Sequence, residues 1–453
     1  MITKIINNLW GDLSNAELKR FGLLSVIITI ILGNYWMLRV MKNPIFNDLV
    51  GMEYQPYAKM GSIFVVAFVV LIYSKLVDHF SKKSLFDIIC IFYAALFFFI
   101  CFATGTYKAF FSDINSNPLM NILNIQGNII GWLAYFIFET SSILIVLFWA
   151  FVASTTKPEA AKKGYAMIVS CIQLGTISGP AIVTNYAPTV GLPMLIGLGG
   201  FLVILVPFLV RLYLSMVEKD DVQESNTPDD KKPKTGFFEG LRLIATRPYV
   251  MGILIVSTVY EVVATIIEFQ MNMIVKDVFP SRELFASFTG KYGMSVNTMV
   301  LMFSFLGTSY FMRKYGIRFC LLAYPIIVGI VLSGLLVMDN MNLSNIEMMW
   351  ILFMVMIIIK GLSYALNNPT KEVIYIPTTK DIRFKAKGWI ESFGGRTAKA
   401  GGSVINAAFA KNLPELLLFG TLISLGVVGG WIIAANLLGK KFNKLQAEDK
   451  IIE

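Results

Sequence analysis

Histidine is almost missing from this chain: 453 residues contain one, His79, set in a short basic stretch. That count excludes most chemistry built on imidazole and most metal sites that use it. Cysteine is scarce as well. Cys90, Cys101, Cys171 and Cys320 lie in apolar runs with no CxxC or metal-ligand spacing, so they read as packing residues. No acidic metal motif is present, and neither a metal nor a cofactor is expected. Charge is the third shortage, with 15% charged residues against 56% hydrophobic ones. A soluble domain of this length exposes more charge, so the composition points to a polytopic membrane protein. A membrane enzyme would still need a nucleophile, a base or a metal cluster, and these shortages argue against one. The opening polar residues also lack the basic start, apolar core and small-residue cleavage site of a signal peptide.

What is present is organised by length and by charge. Apolar stretches long enough to span a bilayer, about 20 residues each, fall near 21–46, 58–78, 85–104, 128–154, 164–186 and 192–217. A second set falls near 248–275, 290–312, 317–338, 347–367, 387–411 and 414–438. Lysine and arginine alternate between loops. Lys4, Lys19, Lys82, Lys83, Lys157, Lys162, Lys163, Arg313, Arg318, Lys371, Arg383 and Lys440 fall on one side. The other side has few, among them Lys59, Lys108, Lys276 and Lys411. By the positive-inside rule both termini and the central loop face the cytoplasm. The formal charge of +10 therefore reflects topology, and no nucleic acid partner is expected. The expected fold is all-α integral membrane, with twelve transmembrane helices in two six-helix halves, the layout of the major facilitator architecture. Residues 1–217 form the first half, 218–247 a cytoplasmic central loop, 248–441 the second half and 442–453 a tail.

Ionisable residues inside spans are costly unless they line a cavity or find a partner. Arg39 and Lys42 share a helical face near the end of the first span, where they can also snorkel to headgroups. Glu139 lies in the fourth span, Glu261 and Glu268 seven residues apart in the seventh, and Lys360 in the tenth. Glu139 and Lys360 are candidates for a structural pair, and Glu261 for a pair with a neighbouring helix. Arg396 and Lys399, three apart in the eleventh span, are flanked by Gly394, Gly395, Gly401 and Gly402, which admit a ligand or a neighbouring helix. Together these charges suggest a cavity for a ligand with several negative charges. Arginine offers a fork for phosphate and lysine a point charge. Tyr35, Trp36, Tyr135, Tyr260 and Tyr364 are aromatic candidates for stacking on a base.

The motifs themselves resemble the bacterial and plastid ATP/ADP translocase family over nearly the whole chain. Asn34-Tyr35, Leu38-Arg39 and Lys42 look like its NY..LR..K motif, which places Lys42 on a functionally important lysine; Asn43 stands where the family usually has Asp. Phe148-Trp149 followed by EAAKKGY at 159–165 resembles FW…EAKK-Y, and Gln173 falls where Asn is usual. Tyr260, Glu268, Pro280, Phe288 and Gly290 keep the spacing of the seventh-span motif, so Glu268 is the matching glutamate. Met271-Asn272 replaces the usual tryptophan-lysine pair. Asn368-Pro369, Lys371-Glu372 and Tyr375-Ile376-Pro377 resemble DP.KE..YIP. Residues 385–403 resemble K.K..ID..GGR.GKSGG and set Lys399 on the family's eleventh-span lysine. Glu139 stands in the segment of the family's fourth-span glutamate, although an ungapped count back from Phe148-Trp149 gives Ile137.

The resemblance implies a nucleotide transporter, most often an exchanger of ATP for ADP. Alternating access at one site is the expected mechanism. Arg39, Lys42, Arg396 and Lys399 hold the phosphates in this reading. Glu268 tunes selectivity or coupling, Lys360 lines the cavity, and Glu139 and Gln173 complete the substrate-binding set. A proton-coupled importer, or a carrier of another nucleotide-type anion such as NAD or GTP, stands beside it. The expected setting is a bacterial inner membrane rather than a plastid envelope, with the protein as a monomer.

Overall fold

The computed structural model describes residues 14–105, 126–156, 158–216, 237–306, 308–339, 341, 343–379, 382–448 and 450–452. Lys4, Lys108, Lys157 and most of the expected central loop lie outside them, as do the side chains of Lys82, Lys162 and Lys163. Among the described residues there is no strand, only an isolated bridge between Thr378 and Ile452. Among the same residues ten helices are long and apolar enough to cross a membrane.

In chain order the first helices are α1 (Asn15–Leu49), α2 (Gln55–His79), α3 (Lys82–Gly105), α4 (Ile129–Thr140) and α5 (Ile143–Thr155). Then come α6 (Pro158–Val190), α7 (Leu192–Met216) and α8 (Phe237–Thr246), a short helix where a loop is expected. The series continues with α9 (Pro248–Val278), α10 (Arg282–Leu306), α11 (Thr308–Tyr315) and α12 (Ile317–Asp339). Next are α13 (Asn345–Leu362), α14 (Asn368–Val373), α15 (Lys387–Trp389), α16 (Gly395–Phe409) and α17 (Leu413–Ala447).

The chain divides into two compact units. The first holds residues 1–51, 64–230 and 279–297; the second holds 52–63, 231–278 and 298–453. Two expected spans depart from simple helices. The eighth begins earlier, at Arg282, and carries polar residues through its first turns. The eleventh is broken by a π-helical stretch at Ile390–Gly394 before α16.

Within the first unit, α1 starts at a capping box. Ser14 Oγ accepts from the Glu17 amide at 3.2 Å, and the Glu17 carboxylate accepts from the Ser14 amide at 2.8 Å. The α1 and α6 backbones then touch directly. A Cβ at Gly179 would lie 2.1 Å from the Gly33 carbonyl oxygen, and one at Gly175 would lie 2.6 Å from the Thr29 carbonyl oxygen. Lipid tails give helices no hydrophobic reason to associate, so close contact through small residues is how membrane helices gain dispersion energy. Gly179→Leu is expected to cost about 1–3 kcal/mol through overpacking. A lower melting temperature of the detergent-purified protein would register it.

In the second unit the loop after α14 is pinned by hydrogen bonds. Arg383 donates to the Tyr375 carbonyl at 3.1 Å and to that of Ile376. The Ile452 amide donates to the Pro377 carbonyl at 3.0 Å, and the Thr379 amide to that of Ile452 at 3.1 Å.

Candidate functional site

In the first unit the site is built on the last turns of α1. The Lys42 ammonium lies 2.5 Å from Glu139 Oε2 and 4.4 Å from the centroid of the Tyr135 ring. Its side chain is 13% exposed and that of Glu139 29%. Phe46 meets the edges of Trp132 and Tyr135, 5.3 Å from each, and so fixes the aromatic wall against which Lys42 rests. Tyr135 is packed into that wall, fully buried, and is not a surface for stacking a base. Arg39, one turn earlier, sits 4.9 Å from the Trp36 ring and donates to the Tyr35 hydroxyl at 3.1 Å.

Glu139 owes its position to a break that the apolar run at 128–154 conceals. Thr140, Ser141 and Ser142 turn their hydroxyls back onto the carbonyls of Phe136, Phe138 and Glu139, at 2.9, 2.8 and 3.2 Å. The helix opens there into α4 and α5. The Tyr93 hydroxyl caps the Thr140 carbonyl at 3.0 Å. Glu139 thus stands at a helix end whose polar backbone is satisfied by side chains, as lipid surroundings require.

In the second unit the organising residue is Glu261 on α9. Lys360 Nζ lies 3.5 Å from one of its carboxylate oxygens, Lys399 Nζ lies 3.6 Å from the other, and the Tyr260 hydroxyl donates at 2.7 Å. Glu261 is 12% exposed, and its Oε2 has no hydrogen-bond partner among the described residues. Both lysines border π-helical turns: Lys360 precedes Ser363–Asn367, and Lys399 follows Ile390–Gly394. A π turn shifts the register of the side chains beyond it, and such turns gather at functional sites.

The glycines around Lys399 divide between two uses. A Cβ at Gly394 would meet Thr258 at 2.8 Å, and one at Gly402 would meet the Val262 carbonyl at 2.8 Å, so these two seat α16 on α9. Asn406 donates to the Thr265 carbonyl at 3.1 Å and extends the seam. Gly395 and Gly401 face open space. Arg396 is half-buried beside them and has no ion partner among the described residues.

Within the first unit Glu139 takes Lys42, and within the second Lys360 takes Glu261. One expected placement is corrected. Lys59, grouped in the sequence with sparse loop lysines, lies in α2 with its side chain 17% exposed and its ammonium 3.7 Å from Glu268. No local signal marks Lys59, because its partner is on α9, far along the chain. Gln173 accepts locally from the Thr176 hydroxyl at 3.3 Å; its described contacts do not include Lys42 or Glu139. Asn43 and Asn272 each bury a side-chain oxygen with no hydrogen-bond partner among the described residues.

Residues 1–442 match the model of the TLC ATP/ADP transporter family. ADP,ATP carrier protein 1 of Rickettsia prowazekii (strain Madrid E) is 26% identical over 475 residues, covering 95% of this chain and 94% of that one. The chloroplastic ADP,ATP carrier protein 1 of Arabidopsis thaliana is also 26% identical, covering 96% of this chain and 76% of that one. Among solved structures, the nucleoside transporter NupG superposes with a TM-score of 0.60 at 14% identity, over 94% of this chain and 99% of that one. The POT family transporter PepTSo does so with a TM-score of 0.60 at 11% identity, over 95% and 99%. These likenesses carry the fold, which is the all-α major facilitator architecture of a multi-pass integral membrane protein. With the family model spanning nearly every residue, the chain belongs to the TLC ATP/ADP transporter family, a family of transporters and not of enzymes.

Proposed function

We propose that the protein exchanges ATP for ADP by alternating access, with lysine and arginine side chains holding the phosphates. The observation that carries this reading is the pairing of every candidate lysine with a carboxylate, while Arg396 has no counter-ion among the described residues. Glu139, Glu261 and Glu268 act as internal stand-ins for phosphate when no substrate is bound. A polyphosphate displaces them from Lys42, Lys59, Lys360 and Lys399, and each released carboxylate turns to water in the opened cavity. Arg39 and Arg396 add forks that match phosphate oxygens. An exchanger needs an empty carrier that reorients slowly, and residual positive charge in each unit supplies that barrier until a nucleotide neutralises it. The names of the relatives support ADP and ATP as the substrates. The lysine and arginine bias of the loops supports cytoplasmic termini, and we place the protein in a bacterial inner membrane as a monomer acting without nucleic acid.

Uptake of labelled ATP into proteoliposomes tests this directly. Vesicles loaded with ADP are expected to accumulate label, and vesicles loaded with buffer are not. Uptake into buffer-loaded vesicles that rises with outside acid would replace exchange by proton-coupled import. Uptake driven only by another internal nucleotide would move the substrate to that nucleotide, with Asn43, Gln173 and Asn272 as the positions to examine.

A further inference from the structure

Prolines inside helices leave a carbonyl without its donor, four residues earlier, and in a membrane that carbonyl needs another partner. Three such prolines occur in α1 and α6: Pro44, Pro180 and Pro188. The carbonyls they release belong to Val40, Thr176 and Thr184. Each receives a side-chain hydrogen bond at 2.7 Å, and all three donors lie on α10. Thr289 donates to Val40, Asn297 to Thr176 and Ser287 to Thr184. By contrast, Pro207 in α7 and Pro325 in α12 free the carbonyls of Val203 and Leu321, to which no side chain donates among the described residues.

The donors share one face of α10 with Gly290 and Gly293, at helical spacing. A Cβ at Gly290 would meet the Pro180 carbonyl at 2.9 Å, and one at Gly293 would meet the Val40 side chain at 3.0 Å. The helix therefore lies against the two proline notches at backbone distance. All of these residues belong to the first unit. Val40 sits between Arg39 and Lys42, and Thr176 lies one turn beyond Gln173, so two of the three capped carbonyls are embedded in turns that carry candidate ligands.

We propose that Thr289 and Asn297 are positioning residues for nucleotide binding: they replace the hydrogen bonds that proline removes and so set the register of Arg39, Lys42 and Gln173, while Ser287 replaces the one lost at Thr184. The assignment of a binding role rests on the nucleotide reading above. None of the three touches substrate; each acts through a carbonyl. Thr289 also reaches the Ala286 carbonyl at 2.9 Å, so its hydroxyl keeps a partner whenever α1 shifts away.

The test is a set of matched pairs read by ATP exchange. Thr289→Val keeps the shape and removes the donor; it is expected to raise KM at least about fivefold, with a smaller change in kcat. Thr289→Ser is expected to restore KM. In a Pro44→Ala background the backbone amide regained at position 44 supplies the missing donor, so Thr289→Val should leave KM unchanged there. A Pro188→Ala background should give no such relief, but should relieve Ser287→Ala. An unchanged KM for Thr289→Val, or equal relief by either proline variant, overturns the proposal. Failure of the unaltered protein to exchange any nucleotide would remove the functional reading and with it the binding role. The capping would then stand or fall on melting temperatures, where only the matched pairs should cancel.

Discussion

Lys42→Ala is expected to abolish exchange, by at least about a hundredfold, in a protein that still reaches the membrane folded. A single charge-assisted hydrogen bond to phosphate contributes about 1.5–3 kcal/mol, or roughly one to two powers of ten. The loss here is larger because Lys42 is held by Glu139 and Tyr135 in one position, so no other amine can take its place. Lys42→Ala alone also takes a counter-ion from Glu139, which obscures the reason for any loss. Adding Glu139→Gln removes that charge. Melting temperature should then recover while exchange stays absent. Recovery of both would mean that the lysine serves only its carboxylate. Lys399→Ala is the counterpart in the second unit and should also lose exchange while the protein stays folded.

Glu261→Gln is expected to destabilise the protein by about 3 kcal/mol and to stop transport. Glu261, itself 12% exposed, is the common anion for two lysines, and its loss leaves Lys360 and Lys399 beside a neutral amide. The amide still accepts from Tyr260 but carries no charge. Adding Lys360→Met should return most of the stability, because the pair of like charges is relieved, without returning exchange. Thermal unfolding in detergent and vesicle uptake separate the two effects. Glu268→Gln should cost less stability, since Lys59 stands 3.7 Å from its carboxylate, which is twice as exposed as that of Glu261.

The all-helical membrane fold and the charged residues inside its spans were legible in the chain because each depends on local composition. Lys42, Glu261, Lys360 and Lys399 stand out as charges in apolar surroundings whatever their partners are. Who pairs with whom was not legible. Glu139 and Lys42 are 97 residues apart in sequence, and periodicity within one span says nothing of its neighbour. The seventh-span motif marks Glu268; that Glu261 holds both lysines was not legible, because Lys360 and Lys399 lie on α13 and α16, far along the chain from α9. The Thr140-Ser141-Ser142 break was hidden for another reason. Hydroxyls that bond their own helix look unremarkable in an apolar run, although three in succession are a signal for it. The proline carbonyls were locatable from sequence; their donors on α10 were not.

The ribosome makes Lys59 about 210 residues before Glu268, whereas Glu139 follows Lys42 by 97. At a ribosomal pace of about 5–20 residues per second, Lys42 waits roughly 5–20 s for its counter-ion and Lys59 roughly 10–40 s. Through that interval the Lys59–Glu268 contact cannot form, because α2 is made and α9 is not.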